Sequence, residues 1–181
     1  MSPWLLVLIA TLAHAGERPE IRAEHVRLVA EMDRLSAENR WDGVDDHYQT
    51  LTRLRGADVA YRDHWLGAQA AAARGDVQAT WDRLQQAMTV EFSEEAVAWW
   101  AELTARYGEV SIKTRRSYEG SGDLRIDRPP LDPEPRATIQ AAHEALEATG
   151  QYRGLLPLGQ YQLGEVRFDV VGGPAVTVTL R

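Results

Sequence analysis

The chain has 181 residues, of which 44% are hydrophobic and 26% charged, with a formal net charge of -7 and no cysteine. That balance is ordinary for a folded protein. The charge is spread without a basic stripe, so nothing is expected to follow a nucleic-acid backbone. Without cysteine the chain has no disulfide, thiolate metal ligand, cysteine nucleophile or lipid-modified cysteine.

Residues 4–12, WLLVLIATL, form an uncharged apolar run followed by AHA and then GERPE. This is the pattern of a leader with a small-x-small cleavage site, cut after Ala15. The run is far shorter than the roughly 20 residues that span a bilayer. No Lys or Arg precedes it, so the terminal amine is its only upstream positive charge. The expectation is a signal peptide over residues 1–15 and a periplasmic or secreted mature protein with no membrane span after cleavage.

From residue 20 to 107 apolar residues recur at helical spacing. Ile21, Leu28, Met32 and Leu35 share one face, and Trp41, Val44, Tyr48, Leu51 and Leu54 another. Gly56 offers a stop, and Asp58 is placed to cap a third helix carrying Tyr61, Trp65, Ala68 and Ala72. In ARGD, Gly75 suits a left-handed C-terminal position and Asp76 an N-cap. Val77, Trp81, Leu84 and Met88 continue the pattern, and a fifth helix opens at Ser93 and buries Val97, Trp100 and Leu103.

RWDGVDDHYQTLTRL laid over DVQATWDRLQQAMTV superposes Trp41 on Val77, Tyr48 on Leu84 and Leu51 on Ala87, an offset of about 36 residues. The small residues of LGAQAAAARGD allow close helix approach before a reversing turn. This half resembles tetratricopeptide-like helical hairpins. The resemblance implies a concave face for extended peptides, lined by Arg62, Trp65 and Gln69. RGD also resembles an integrin-binding motif, but its place between two helices makes it a turn. Trp99 and Trp100 diverge by about 100° around a helix, so one is expected to contact the C-terminal half, and an exposed Trp99 would mark a partner surface.

After Gly108 the period becomes two. EVSIKT alternates through Val110 and Ile112 and DLRID through Leu124 and Ile126, with EGSGD reading as the hairpin loop between them. Asp132 and Pro133 open a helix with Ile139, Ala142 and Leu146 on one face and Gly150 at its end. Val166, Phe168 and Val170 alternate, as do Val176, Val178 and Leu180, and GGP joins them as a second expected hairpin. LLPLGQYQLG resembles the strand approach of PEGA and carboxypeptidase-regulatory-like β-sandwich modules. That resemblance implies a sharp turn at Gly159 and a core aromatic at Tyr161, with the helix over residues 133–148 as an insertion.

The histidines beyond the leader are His25, His47, His64 and His143. HEALE places His143 and Glu147 one turn apart but lacks the second histidine of a metal-binding helix. DGVDDHY gathers Asp42, Asp45, Asp46 and His47, a set able to hold a cation or do acid–base work; carboxylates also simply favour a helix N-terminus. Ser121 in EGSGD lacks the G-x-S-x-G elbow, and no glycine-rich phosphate loop with Lys is present. No catalytic set, metal site or cofactor is therefore expected.

The expected fold is α+β, with an N-terminal helical-hairpin domain over residues 16–107. A small antiparallel β-sandwich-like module with one inserted helix follows over residues 108–181. The expected function is that of an exported, non-enzymatic binding or scaffold protein for a protein or cell-envelope polymer, with Arg62, Trp65, Gln69 and Trp99 as contact residues. Two alternatives stand beside it. One is a small hydrolase or metal-dependent enzyme centred on Asp42, Asp45, Asp46 and His47. The other is a carbohydrate-binding module using Tyr118, Tyr152, Tyr161 or Phe168.

Overall fold

A computed structural model describes residues 19–114 and 124–180. The expected leader, the EGSGD loop with Ser121, and Tyr118 lie outside the described residues. A helical N-terminal region is followed by a β-sheet module with one inserted helix, as expected. Contacts divide the chain into a unit that ends at Val59 and one that begins at Ala60.

The first unit is a helical hairpin of α1 (Pro19–Ala37) and α2 (Trp41–Arg53). Its apolar stripes are the expected ones: Leu28, Met32 and Leu35 are buried on α1, and Val44, Tyr48 and Leu51 on α2. The helices come close at Gly43, where a Cβ would stand 3.0 Å from Leu35 Cδ1. The outer side of α1 carries exposed pairs of Arg27 with Glu24 (2.7 Å) and Arg34 with Glu38 (2.7 Å), which add little to stability.

The second unit starts with α3 (Tyr61–Ala73), α4 (Val77–Val90) and α5 (Glu94–Thr104). Asp76 caps α4 by accepting from Ala79 N at 2.9 Å, and Ser93 accepts from Ala96 N at 3.4 Å. The start of α3 differs from expectation. Ala60 is its N-cap, and Asp63 rather than Asp58 reaches back to accept from Ala60 N at 3.0 Å. The acid at the third helical position does the work that Ala60 has no side chain to do.

Then come β1 (Tyr107–Lys113), β2 (Leu124–Ile126), α6 (Pro133–Thr149), β3 (Gln151–Pro157), β4 (Gly159–Leu163), β5 (Val166–Val170) and β6 (Val176–Thr179). They form two three-stranded sheets, ordered β3-β1-β6 and β2-β4-β5. All pairings are antiparallel except β1 with β6, which is parallel. Neither expected hairpin forms: β1 and β2 belong to different sheets, and so do β5 and β6. The GGP connector instead carries the chain from one sheet to the other across Gly108, where a Cβ would collide with the Val171 carbonyl oxygen. The hairpin that does form joins β4 to β5 through Gly164 and Glu165, with Gly164 at φ 60.

The β1–β3 ladder is buried on both faces at its Tyr107–Pro157 end, while Lys113, Gln151 and Arg153 at the other end are exposed. Val110, Ile112 and Leu156 join Leu124, Tyr161, Leu163, Val170 and Val178 in a core between the sheets, closed by Ala142 and Leu146 of α6. Tyr107 and Leu155 point the other way, into a core with Ala68, Val77, Trp81, Leu84, Ala96 and Leu103 of α3–α5. The helices and the first sheet therefore share one apolar layer, and the expected division at residues 107–108 falls inside this unit. Tyr161 packs in the inter-sheet core as expected, stacked on Phe168 with ring centroids 5.6 Å apart.

Strand β3 is an edge, and an edge under a helix must satisfy its outward groups. Leu155 N donates to Gln78 Oε1 of α4 at 2.8 Å, and Tyr152 Oη donates to the Leu155 carbonyl at 2.7 Å. Ladder bonds alternate inward and outward. Pro157, two residues on, thus shares the outward register of Leu155, where a missing N–H costs the ladder nothing. Gly154 leaves room for both side chains: a Cβ there would lie 2.7 Å from Tyr152 Oη and 2.8 Å from Gln78 Oε1.

Replacing Gln78 by Ala strands the Leu155 N–H beneath α4, and the expected cost is about 1–3 kcal/mol, read as a lower urea midpoint. Gly108→Ala meets backbone rather than a yielding side chain, and is expected to cost about 1–3 kcal/mol. An unchanged midpoint in both variants would refute the shared-layer account.

Candidate functional site

Of the residues expected to bind, the structure brings Trp65 and Trp99 together. Trp65 sits on α3 and Trp99 on α5, and their rings meet edge to face with centroids 5.2 Å apart. Tyr61, one turn before Trp65, stacks on it at 6.1 Å. All three are half-buried, resting against the helical core while keeping surface in solvent. Arg62 is exposed at the start of α3, and Gln69 lies half-buried one turn beyond Trp65.

The divergence of Trp99 and Trp100 is real, but the rings land on two helices. Trp99 meets Trp65 of α3, and Trp100 lies against Trp81 of α4 with centroids 3.7 Å apart. Ala96, Trp99, Trp100 and Leu103 follow i, i+3, i+4, i+7 spacing, which makes one broad stripe wide enough to touch two neighbours. The cluster they join also contains Tyr107 of β1 and Leu155 of β3. The Trp81 indole nitrogen is buried with no hydrogen-bond partner among the described residues.

The acidic cluster of α2 does not converge. Asp45 is buried at 1% exposure and accepts from Gln49 Nε2 at 2.8 Å, whereas Asp42 and Asp46 are exposed. His47 Nδ1 donates to the Gly43 carbonyl at 2.8 Å, so one ring nitrogen is held by its own helix. The Glu24 and Glu31 carboxyls are held below the usual range, chiefly by hydrogen bonds from Arg27 and Arg34, with a smaller contribution from His47. Among the described residues no group of three or more His, Asp or Glu side chains is arranged to hold a metal ion. His64, on α3 of the other unit, is 8% exposed, and burial pushes its imidazole down against the opposing pull of Asp63. His143 pairs with Glu147 at 3.3 Å on α6.

The described aromatics of the β module turn inward. Tyr161 is buried, and its hydroxyl donates to the Pro157 carbonyl at 2.9 Å. Tyr152 is committed to Leu155, and Phe168 to Tyr161. Tyr107 donates to Glu134 Oε1 at 2.7 Å, and Arg106 Nη2 reaches the same oxygen at 3.0 Å, tying β1 to the first turn of α6. Burial raises all three hydroxyls. Tyr152 is pushed up to about 12, and at Tyr107 the Glu134 carboxylate adds to the rise.

Two surface features escaped the sequence reading. Phe92 falls between two apolar stripes and belongs to neither, and it is 75% exposed. Gln78 is a polar residue in a polar position, and its role in covering β3 depends on a strand 77 residues away. No helix of the described residues is long and apolar enough to cross a membrane. No family model matches the chain, and no curated protein or solved structure matches it.

A phenol whose folded pKa is raised contributes stability that is complete below its unfolded value, near 10, and lost as pH climbs through the folded value. The urea midpoint is therefore expected to hold steady up to about pH 10 and to fall as pH climbs toward the Tyr152 value of about 12. Phenolate absorbance should report incomplete ionisation of the six tyrosines until the protein unfolds. Full ionisation of a still-folded chain would contradict the burial of Tyr107, Tyr152 and Tyr161.

Proposed function

We propose that the protein is an exported, non-enzymatic binding or scaffold protein whose partner is a protein or a polymer of the cell envelope. Its leader over residues 1–15 directs export, with cleavage after Ala15 and a periplasmic or secreted destination. Its helical half acts in the manner of tetratricopeptide-like hairpins, and its β half in the manner of a PEGA-like module that packs on α3–α5.

One observation carries this reading. Trp65 on α3 and Trp99 on α5 meet at the surface and stay half-buried, with Tyr61 stacked beside Trp65. Large aromatic side chains with part of their area still open to solvent supply binding energy when a partner removes the remaining water. Arg62 and Gln69 on the same helix offer hydrogen-bonding groups around that centre.

The test is an affinity capture from an envelope fraction with the chain beginning at Gly16 as bait. A retained partner, and at least a tenfold weaker interaction for Trp99→Ala with its helical circular dichroism preserved, is the expected result; tenfold corresponds to about 1.4 kcal/mol. Recovery of no partner, together with turnover of a generic ester or peptide library, would overturn the proposal.

A further inference from the structure

We propose a second docking surface at the elbow between α4 and α5, fitted to a protein segment that carries an apolar anchor flanked by Arg or Lys. It goes beyond the aromatic site and rests on the binding-protein reading only in assuming that the protein works by association.

Three large apolar residues crowd this short elbow: Val90 is 52% exposed, Phe92 75% and Val97 41%. The bland account is a hydrophobic staple, because Phe92 precedes the Ser93 N-cap and Val97 is the fourth helical residue, the pair that such a staple joins. A staple covers its members, however, and Phe92 keeps three-quarters of its surface. Something other than Val97 is needed to remove it from water.

The rim decides what kind of partner. Glu91, Glu94 and Glu95 lie between Val90, Phe92 and Val97 in the chain, are exposed, and have no ion-pair partner among the described residues. Glu94 and Glu95 lie in the first turn of α5, where the helix dipole favours them. Glu91 does not share that excuse. It is the C-cap residue of α4, at the negative end of that helix, where an anion is disfavoured. A cation brought by a partner would relieve this repulsion and reach two further carboxylates.

The same rim argues against other occupants. Anionic lipid, nucleic acid or an anionic polymer would meet like charge on a chain of net charge -7. A second copy docking through the same patch would set the three glutamates against their equivalents. A basic, apolar protein segment is what remains.

The experiment selects peptides from an unbiased random display library on the immobilised full chain. Winners are then titrated as synthetic peptides against wild type, Phe92→Ser, the Glu91→Gln/Glu94→Gln/Glu95→Gln triple variant, and Trp99→Ala. Expected are peptides with an apolar residue flanked by Arg or Lys, at least tenfold weaker on Phe92→Ser, weaker on the triple variant, sensitive to salt, and unaffected by Trp99→Ala. Enrichment of non-basic peptides, binding that survives Phe92→Ser, or no enrichment would overturn the proposal. So would a Phe92-dependent dimer in sedimentation, or Phe92-dependent binding to anionic phosphatidylglycerol vesicles. Loss of the envelope partner on Trp99→Ala but not on Phe92→Ser would sink this surface and leave the aromatic site standing; indifference to both would sink both.

Discussion

The second unit depends on one strand pair that serves two cores at once. Where Tyr107–Val110 pairs with Gly154–Pro157, alternate side chains enter the inter-sheet core and the helical core, so that end of the ladder is covered on both faces, while Lys113, Gln151 and Arg153 at the other end stay exposed. A strand buried on both faces and lying at an edge has backbone groups that must be satisfied by something other than a neighbouring strand. Gln78 and Tyr152 meet that demand at Leu155. The small side of Gly154 and the missing donor of Pro157 then become requirements of the same edge. The helical layer is bound to the sheet by polar complementarity as well as by apolar area, which is why α3–α5 share a compact unit with the strands.

The paired tryptophans follow from that arrangement. Besides the strand side of the core, α5 contacts both α3 and α4, and a stripe that includes two adjacent indoles is wide enough to do so. Trp100 is spent on internal packing. Trp99, on the flank toward α3, retains solvent exposure beside Trp65 and Tyr61. Function, on the reading proposed here, lies in the aromatic area left over after packing, supported by a layer rigid enough to hold it in place.

Much of the fold was legible in the residues. Helical spacing placed all six helices, and alternation located four of the six strands, β1, β2, β5 and β6, because both patterns report which side of an element faces water. Pairing was not legible. Residues 166–170 and 176–180 look like a hairpin in sequence, yet β5 pairs with β4 while β6 runs parallel to β1. Period-two alternation reports that a strand has a buried face and says nothing of which neighbour lies beside it. The site was legible to the extent that Trp65 and Trp99 stood out as large aromatics. Phe92 was invisible because nothing local distinguishes an exposed aromatic from a staple residue.

By itself the sequence determined the class of the six helices and of four strands, the glycine-bearing turns at Gly75 and Gly150, and the lack of any cysteine chemistry, since these depend on local backbone preference and composition. Tertiary structure alone decided that β1 and β3 join the helices, that Gln78 covers a distant edge, and that the α2 acids diverge. Each of those outcomes rests on contacts between residues far apart in the chain, and such contacts form only when a particular packing has already brought their elements together.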